Sequence, residues 1–344
     1  ISLYNRLIQR FGCLQTLTFF SCVTVFIHTF CGLFVGKYSF LAFFLYVWKD
    51  IYVLLMFQQL WSVIHVKTSD SKAKYLYGIL FGVSGIGAIF GSCVPSFLAV
   101  KLGSEKLLYI SLPIYAALIY CYKKMTIFGE IYRMKIGPKS DEKGGFALVF
   151  SSNRLRFILF IVVVMQLSTT IMDFQFNSFL QQEFPMQDLR TQFYGRLWGL
   201  INTLKLCLQF FATYLIVALI GLRKSHFVVP GILFCNAILI LIYPTFSLIT
   251  YGFSTVKIFD YSIFNILKEM LYVPLTTEEK FKAKSVIDVF AYRSAKALAS
   301  VFIIGIPFLT PERLPSAYTW GPVCLFLIWL TGVYNHFKIK RKKI

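Results

Sequence analysis

Apolar residues in this chain fall in long uninterrupted runs separated by short polar segments. The runs are about 20 residues long, the length that an α-helix needs to cross a bilayer. The core of a soluble protein does not require apolar runs of this length, whereas a bilayer does. The pattern predicts ten membrane-spanning helices, at about 12–35, 39–65, 75–100, 105–122, 157–182, 191–220, 227–243, 246–272, 286–306 and 318–334.

The composition supports an all-α integral membrane protein. Of 344 residues, 57% are hydrophobic and 18% are aromatic. Ten spans account for most of the chain, so little remains for a soluble domain. Several runs exceed the length of an upright helix, and we expect those helices to be tilted or broken.

The net charge of +20 is distributed as an orientation signal. With ten spans, the segments on the side of the two termini hold 23 Lys and Arg residues, and the opposite side holds 5. Positive segments mark the cytoplasmic face, so both termini are predicted to be cytoplasmic. We therefore expect a lipid bilayer as partner and no nucleic acid, because no nucleic-acid-binding motif accompanies the basic stretches.

The reactive side chains form no recognisable catalytic or metal-binding pattern. All eight cysteines lie in apolar runs, where they behave as small hydrophobic residues. Walker A, HExxH and nucleophile-elbow sequences are not found in the chain. The sequence predicts no metal site, no cofactor and no enzymatic activity.

The longest connection divides the spans unevenly. Residues 123–156 are polar and basic, and they separate four spans from six. Two six-span halves joined by one cytoplasmic segment are typical of major-facilitator-type carriers. We therefore predict a half bundle over 1–122 that lacks the first two helices, an inter-half segment over 123–156, and a six-span bundle with a basic tail over 157–344. The alternative is a ten-helix protein with unequal halves.

Charged residues inside the spans are the main functional signal. An ionised group at bilayer depth costs roughly 2.5–3.5 kcal/mol even on a lenient scale, so such groups are usually paired or line a polar path. Cations exceed anions by two, which would attract anionic and especially phosphorylated solutes. The interior charges are Lys49, Arg196, Lys205, Lys257, Lys268, Arg293, Lys296, Asp50, Asp173, Asp260, Glu269 and Asp288.

The eighth span carries the densest of these charges. Lys257, Tyr261, Phe264 and Lys268 have the spacing i, i+4, i+7 and i+11, so an unbroken α-helix would place them on one face. The two lysines would then lie about 16 Å apart along the axis. Two alternatives remain at this point: Asp260 neutralises Lys257, or Lys268 extends to the headgroups instead of lining a path.

Lys49 and Asp50 lie near the middle of the second span, where they either neutralise each other or line a cavity. Asp173 has amide residues on adjacent turns, which predicts a polar helix face. Asp288 begins the ninth span, where it either stabilises the helix N-terminus or pairs with Lys296. Arg293 is more central and is predicted to line the path.

One segment resembles a known family. The string Lys268-Glu269-Met-x-Tyr272-x-Pro274-Leu275 and the continuation Lys280-x-Lys282-Ala-Lys284-x3-Asp288-x4-Arg293-x2-Lys296 resemble a signature of the non-mitochondrial ATP/ADP antiporters of intracellular bacteria and plastids. The resemblance is strongest over about 264–300. It implies a twelve-helix, major-facilitator-like carrier that exchanges nucleotides by alternating access.

The resemblance also implies roles for three residues. Acidic residues of the fourth and seventh family helices and the lysine of the Lys-Glu string correspond to Asp50, Asp173 and Lys268. The chain departs from the family in two ways: the basic residue of the opening helices has no counterpart, and Asp stands where many members have Glu.

Together these features predict a secondary transporter of ATP and ADP in a bacterial inner membrane, with a plastid or other organelle membrane as the alternative location. Two other functions stay open: a proton-coupled carrier of another anionic or nucleobase-bearing solute, and a membrane scaffold or sensor. The predicted substrate-binding residues are Lys268, Asp50, Asp173, Arg293, Glu269, Lys257, Lys49 and Lys296.

Overall fold

The computed structural model describes residues 13–67, 70–127, 145–212, 221–275, 283–309 and 314–341. Within these ranges the chain is helical and contains no strand, which confirms the predicted all-α class. Most of the predicted inter-half segment, residues 128–144, lies outside the described part of the chain.

The described ranges contain twelve α-helices and three π-helical segments. The α-helices are α1 (Cys13–Phe34), α2 (Phe40–Lys67), α3 (Asp70–Leu102), α4 (Leu107–Ile127), α5 (Gly145–Ser151), α6 (Asn153–Glu183), α7 (Gln187–Cys207), α8 (Leu222–Ile242), α9 (Phe246–Phe259), α10 (Asn265–Tyr272), α11 (Tyr292–Leu309) and α12 (Leu314–Arg341). The π-helical segments are π1 (Leu208–Ala212), π2 (Asp260–Phe264) and π3 (Ser285–Ala291).

Each predicted span overlaps a helical stretch of the described residues. The sixth span continues from α7 through π1, and its last residues, 213–220, lie outside the described part. The chain is a multi-pass membrane protein. By length and apolar composition alone, six helical stretches in the described ranges are able to cross a bilayer: Leu14–Phe34, Phe40–Phe57, Gly82–Leu102, Asn153–Glu183, Arg223–Ile242 and Val286–Ile306. The count of ten spans stays a prediction.

Local chemistry fixes where several helices begin and end. Gly103 has a φ of +88° and its N–H donates to the Ala99 carbonyl, a left-handed cap that glycine adopts without a Cβ clash. The Thr245 hydroxyl accepts a hydrogen bond from the Leu248 N–H and so caps the N-terminus of α9. Helix α10 ends at Tyr272, two residues before Pro274, which lacks a backbone donor.

The chain forms two compact units. The first comprises Ile1–Ser140 with Met186–Arg196, and the second comprises Asp141–Pro185 with Leu197–Ile344. The correspondence of these units to the half bundles of a carrier stays a prediction.

In the first unit, α1 packs against α4 and α2. Leu17 and Tyr122 form a buried apolar contact, with Leu14 and Met56 packed around them. Interhelical hydrogen bonds add to this packing, each worth about 0.6 kcal/mol in membrane proteins. They join Ser21 to Tyr52, Trp48 to Thr24, and His28 to Ser111.

The turn between α3 and α4 is anchored to the first residues of α7. The Ser104 N–H and hydroxyl both donate to Asp188 Oδ1, at 2.7 and 2.6 Å. These hydrogen bonds stabilise the ionised carboxylate and lower the pKa of Asp188. The contact fixes the end of α3 beside α7.

In the second unit, α6 is the central helix. It packs against α11, α12 and α9, and its buried side chains include Ile158, Ile161 and Met165. The Phe176 ring stacks on Phe253 of α9 with 4.1 Å between centroids. This packing brings the polar side chains of α6 close to those of α9 and α11.

We predict that Gly195→Ala destabilises the first unit. A Cβ at Gly195 of α7 would lie 2.7 Å from the backbone nitrogen of Ser96 and 2.8 Å from the ring of Pro95 in α3. Overpacking of this kind costs typically about 1–3 kcal/mol. Thermal unfolding in detergent measures the change.

Gly87→Ala is the matched control, because no atom lies within 4 Å of a Cβ at Gly87. Alanine favours a helix over glycine by about 1 kcal/mol, so this variant should be neutral or stabilised. Equal melting temperatures for the two variants would contradict the close approach of α7 and α3.

Candidate functional site

The eighth predicted span is not one unbroken α-helix. Its central residues, Asp260–Phe264, form π2, where i→i+5 hydrogen bonding widens the turn and shifts the register of the following residues. Lys257 is only 5% exposed, whereas Tyr261 is 38% exposed. The prediction that Lys257, Tyr261, Phe264 and Lys268 share one face is therefore wrong, because it assumed α-helical spacing throughout.

Among the ion pairs of the described residues, the one between Asp173 and Lys257 contains the most buried charged side chain, Lys257. Lys257 Nζ of α9 lies 2.7 Å from Asp173 Oδ2 of α6, and the two side chains are 6% and 33% exposed. Asp173, and not Asp260, forms the ion pair with Lys257. The alternative in which Asp260 neutralises Lys257 by direct contact is therefore wrong. The Asp173 backbone carbonyl also accepts a hydrogen bond from the Asn177 amide, one turn further along α6.

Asp260 lies deeper than Asp173, at 8% exposure. Its Oδ2 accepts a long hydrogen bond of 3.5 Å from Gln166 Nε2 of α6. Lys257, Lys268 and Lys296 all interact electrostatically with it. Asp260 therefore shares Lys257 and Lys296 with Asp173, and it shares Lys268 with Asp288.

Asp173, Lys257, Asp260 and Lys296 together form what we call the interior charge cluster. Lys296 of α11 interacts electrostatically with both carboxylates, and its Nζ lies 4.8 Å from the ring centroid of Tyr292. The cluster contains two cations and two carboxylates from three helical stretches, so its charges balance. Balanced charge is what makes such burial affordable, since one uncompensated buried ion costs several kcal/mol.

A second group of charges lies where α10 meets π3. Lys268 Nζ is 3.1 Å from Asp288 Oδ1, and Lys284 Nζ is 2.6 Å from Glu269 Oε2. The Lys268–Asp288 pair is the less exposed, at 14% and 24%. We call these two contacts the terminal ion pairs. The buried Tyr272 ring packs between them and the core, with its centroid 5.2 Å from Lys284 Nζ.

The terminal ion pairs identify the partner of Asp288 and a further charged residue of this group, Lys284. Asp288 contacts Lys268, whereas Lys296, the other cation expected beside it, interacts electrostatically with Asp173 and Asp260. Lys284 was counted only as a loop cation in the sequence. Its place in the family-like string between Lys282 and Asp288 was the available signal.

The remaining predicted site residues are more exposed. Lys49 and Asp50 contact each other at 3.4 Å in the first unit, with side chains 58% and 60% exposed. Lys49 Nζ also lies 4.6 Å from the ring centroid of Tyr46. Arg293 is exposed on α11, and no carboxylate contacts it within the described residues.

Lys205 of α7 was recognised as an interior charge but was not predicted as a site residue. It is half-buried, and its Nζ lies 3.2 Å from Asn202 Oδ1 and 5.9 Å from the ring centroid of Tyr261. Its position near the centre of the sixth predicted span was the available signal.

Most of these charges lie in the part of the chain that matches a protein-family model. Residues 249–335 match the family model described as TLC ATP/ADP transporter. This region contains most of α9 and all of π2, α10, π3 and α11, and with them nearly all of the charges of both groups.

Two curated relatives extend the similarity along the chain. ADP,ATP carrier protein 1 of Chlamydia muridarum (strain MoPn / Nigg) is 22% identical, over 86% of this chain and 64% of the relative. ADP,ATP carrier protein 1 of Chlamydia trachomatis serovar D is 22% identical, over 83% of this chain and 62% of the relative. The chain thus spans a little under two thirds of the length of these relatives. The predicted resemblance to the ATP/ADP antiporter family is confirmed.

We predict that Asp173→Asn destabilises the second unit. The substitution leaves Lys257 buried without its carboxylate, which costs about 3–5 kcal/mol. Adding Lys257→Met should recover most of the loss, because Asp260 and Lys296 still balance each other. Chemical unfolding of the two single variants and the double variant measures the coupling.

Glu183→Gln is the control on the same helix, since Glu183 is exposed. It should change the free energy of unfolding by about 0.5 kcal/mol or less. Additive effects of Asp173→Asn and Lys257→Met would show that the pair is not energetically coupled.

Proposed function

We propose that the chain is a secondary transporter that moves nucleotides across a membrane, by exchange or import with alternating access. The observation that carries the proposal is the coincidence of the TLC ATP/ADP transporter match, at 249–335, with both groups of interior charges. On this proposal the protein is a carrier and performs no catalysis.

The paired charges suggest how a nucleotide would bind. Polyphosphate is strongly anionic, and lysine ammonium groups bind it as point charges. Lys268 lies 3.1 Å from Asp288, so a phosphate bound to Lys268 would take the place of that carboxylate. Because an unpaired buried cation is costly, the empty protein keeps its ion pairs and the loaded protein exchanges them.

This exchange of ion-pair partners favours counter-exchange of nucleotides. Bound nucleotide neutralises the lysines while the helices rearrange. Without nucleotide, a rearrangement that separates the ion pairs leaves buried charges without partners, which is costly. The π-helical segments that contain Asp260 and Asp288 are suited to such rearrangement, because π-turns frequently accompany functional sites. Asp50 and Asp173, the counterparts implied for the family's acidic residues, would tune selectivity for the cargo.

Asp260 supports a second candidate, proton-coupled transport of another anionic solute. Its direct hydrogen-bond partner is the Gln166 amide, and the nearby Lys257 already contacts Asp173. Buried carboxylates of this kind serve as proton carriers in many membrane transporters. The dependence of uptake on a proton gradient separates this candidate from exchange.

The topology proposed with this function places both termini in the cytoplasm of a bacterial cell, with the carrier in the inner membrane. The uneven distribution of Lys and Arg supports that orientation.

We predict that Lys268→Gln reduces uptake of labelled ATP by about 10- to 100-fold, because a charged hydrogen bond to phosphate is worth about 1.5–3 kcal/mol. Proteoliposomes containing the chain and loaded with ADP provide the assay. Lys338→Gln, at an exposed position of α12, is the control and should transport normally.

Normal uptake by Lys268→Gln would overturn its proposed role. Absence of ATP uptake by the unaltered, folded chain, with or without an imposed proton gradient, would overturn the transporter itself and favour a scaffold or sensor.

A further inference from the structure

One side of α7 and π1 contacts a single residue of π2, Tyr261, through Trp198, Lys205 and Gln209. Trp198, Asn202 and Lys205 have the spacing i, i+4 and i+7, which places them along one side of α7, and Gln209 follows in π1. All four belong to the second unit, as does Tyr261. We call this side of α7 and π1, together with Tyr261, the Lys205 face.

Three contacts fix Tyr261 against this helix. The Trp198 and Tyr261 ring centroids are 6.3 Å apart, and Lys205 Nζ lies 5.9 Å from the Tyr261 centroid. Gln209 Nε2 donates to the Tyr261 carbonyl oxygen at 2.8 Å. The Asn265 backbone N–H donates to the carbonyl of Ser262, the next residue after Tyr261, and the Gln209 side chain donates to the carbonyl of Tyr261 itself.

The charge of Lys205 distinguishes this face from the ion-paired lysines of the second unit. Lys257, Lys268 and Lys284 each lie 3.1 Å or less from a carboxylate oxygen. Lys205 instead contacts the Asn202 amide oxygen and the Tyr261 ring, and no carboxylate touches it in the described part of the chain. Its ammonium group is therefore available to an anion without the separation of an existing ion pair.

Extension to the headgroups does not explain this lysine. Lys205 lies at the middle of the predicted span 191–220, and half of a hydrocarbon core of about 30 Å exceeds the reach of a lysine side chain. A half-exposed ammonium at that depth requires water or a polar ligand. The exposed edge of Tyr261 beside it also fits a face that borders a polar path.

We infer that the Lys205 face is a phosphate-binding subsite for an anionic nucleotide. Lys205 contacts a phosphate group, and the Asn202 amide holds the ammonium in place at 3.2 Å. Gln209 positions Tyr261 through its backbone carbonyl, and the Trp198 and Tyr261 rings form the apolar wall beside the phosphate. This inference rests on the proposed function, because it names a further part of the same transport site.

The subsite is also proposed as the first contact of the cargo. Binding at Lys205 breaks no ion pair, whereas binding at Lys268 or Lys257 displaces a carboxylate. The resulting order is phosphate at Lys205 first and exchange of partners at Lys268 afterwards.

The test measures ligand binding and thermal stability on the same purified, lipid-embedded chain. Lys205→Met should lower the affinity for ATP by about tenfold or more, since a lost charged contact is worth that factor. The same variant without ligand should melt at an equal or higher temperature, because it removes a half-buried charge that no carboxylate balances. Lys205→Arg should retain binding, and Lys224→Met, at an exposed position of α8, is the matched control.

A purely structural role for Lys205 gives the opposite pattern: a lower melting temperature of the ligand-free Lys205→Met variant with unchanged ATP affinity. That outcome overturns the inference, as does loss of binding in Lys224→Met to the same extent.

Pyrophosphate as a second probe separates this inference from the proposed function. Pyrophosphate binding that depends on Lys205, in a chain that does not transport ATP, supports the subsite and rejects nucleotide transport. Transport of ATP that is unaffected by Lys205→Met, together with unchanged pyrophosphate affinity, supports transport and overturns the subsite.

Discussion

The cost of an ionised side chain away from water is the constraint on which the second unit depends. Lys257 is buried at 6% side-chain exposure because Asp173 lies 2.7 Å from it, and the pair holds α9 against α6. Lys296 brings α11 into the same electrostatic group. The apolar packing of α6 encloses the cluster, but the charges determine which turns of the three helices face each other. Loss of one member leaves another without compensation, so the cluster acts as a unit.

The same arrangement makes ion pairs suitable for transport. A lysine that already has a carboxylate partner can accept phosphate with little change in the charge balance of its surroundings. Lys268 with Asp288 has this property close to the end of α10, and Lys205 offers an anion a contact that needs no displacement. On this account the two lysines have different roles. Lys205 attracts the nucleotide, and Lys268 couples nucleotide binding to rearrangement of the helices.

The hydrophobic pattern predicted the helices well because bilayer thickness imposes a length of about 20 residues on each. The pairing of charges was less predictable. Spacing along an α-helix placed Lys257 and Lys268 on one side, but π2 lies between them and changes the register. Asp260 is three residues from Lys257 in sequence, yet the contact belongs to Asp173, on a helix some 80 residues earlier in the chain. Pairing across helices depends on packing that one sequence does not reveal. The surroundings of Lys205 were not predictable for a related reason, since only the structure distinguishes a lysine with a carboxylate partner from one without.

Counter-exchange is the central claim, and trans-acceleration measures it most directly. Proteoliposomes containing the chain are either left empty or loaded with unlabelled ADP, and the initial rate of labelled ATP entry is compared at zero membrane potential and equal pH. The account predicts rapid entry into ADP-loaded vesicles and slow entry into empty ones, because the unloaded carrier reorients slowly. Equal rates in both preparations would contradict the exchange of ion-pair partners as the step that governs transport.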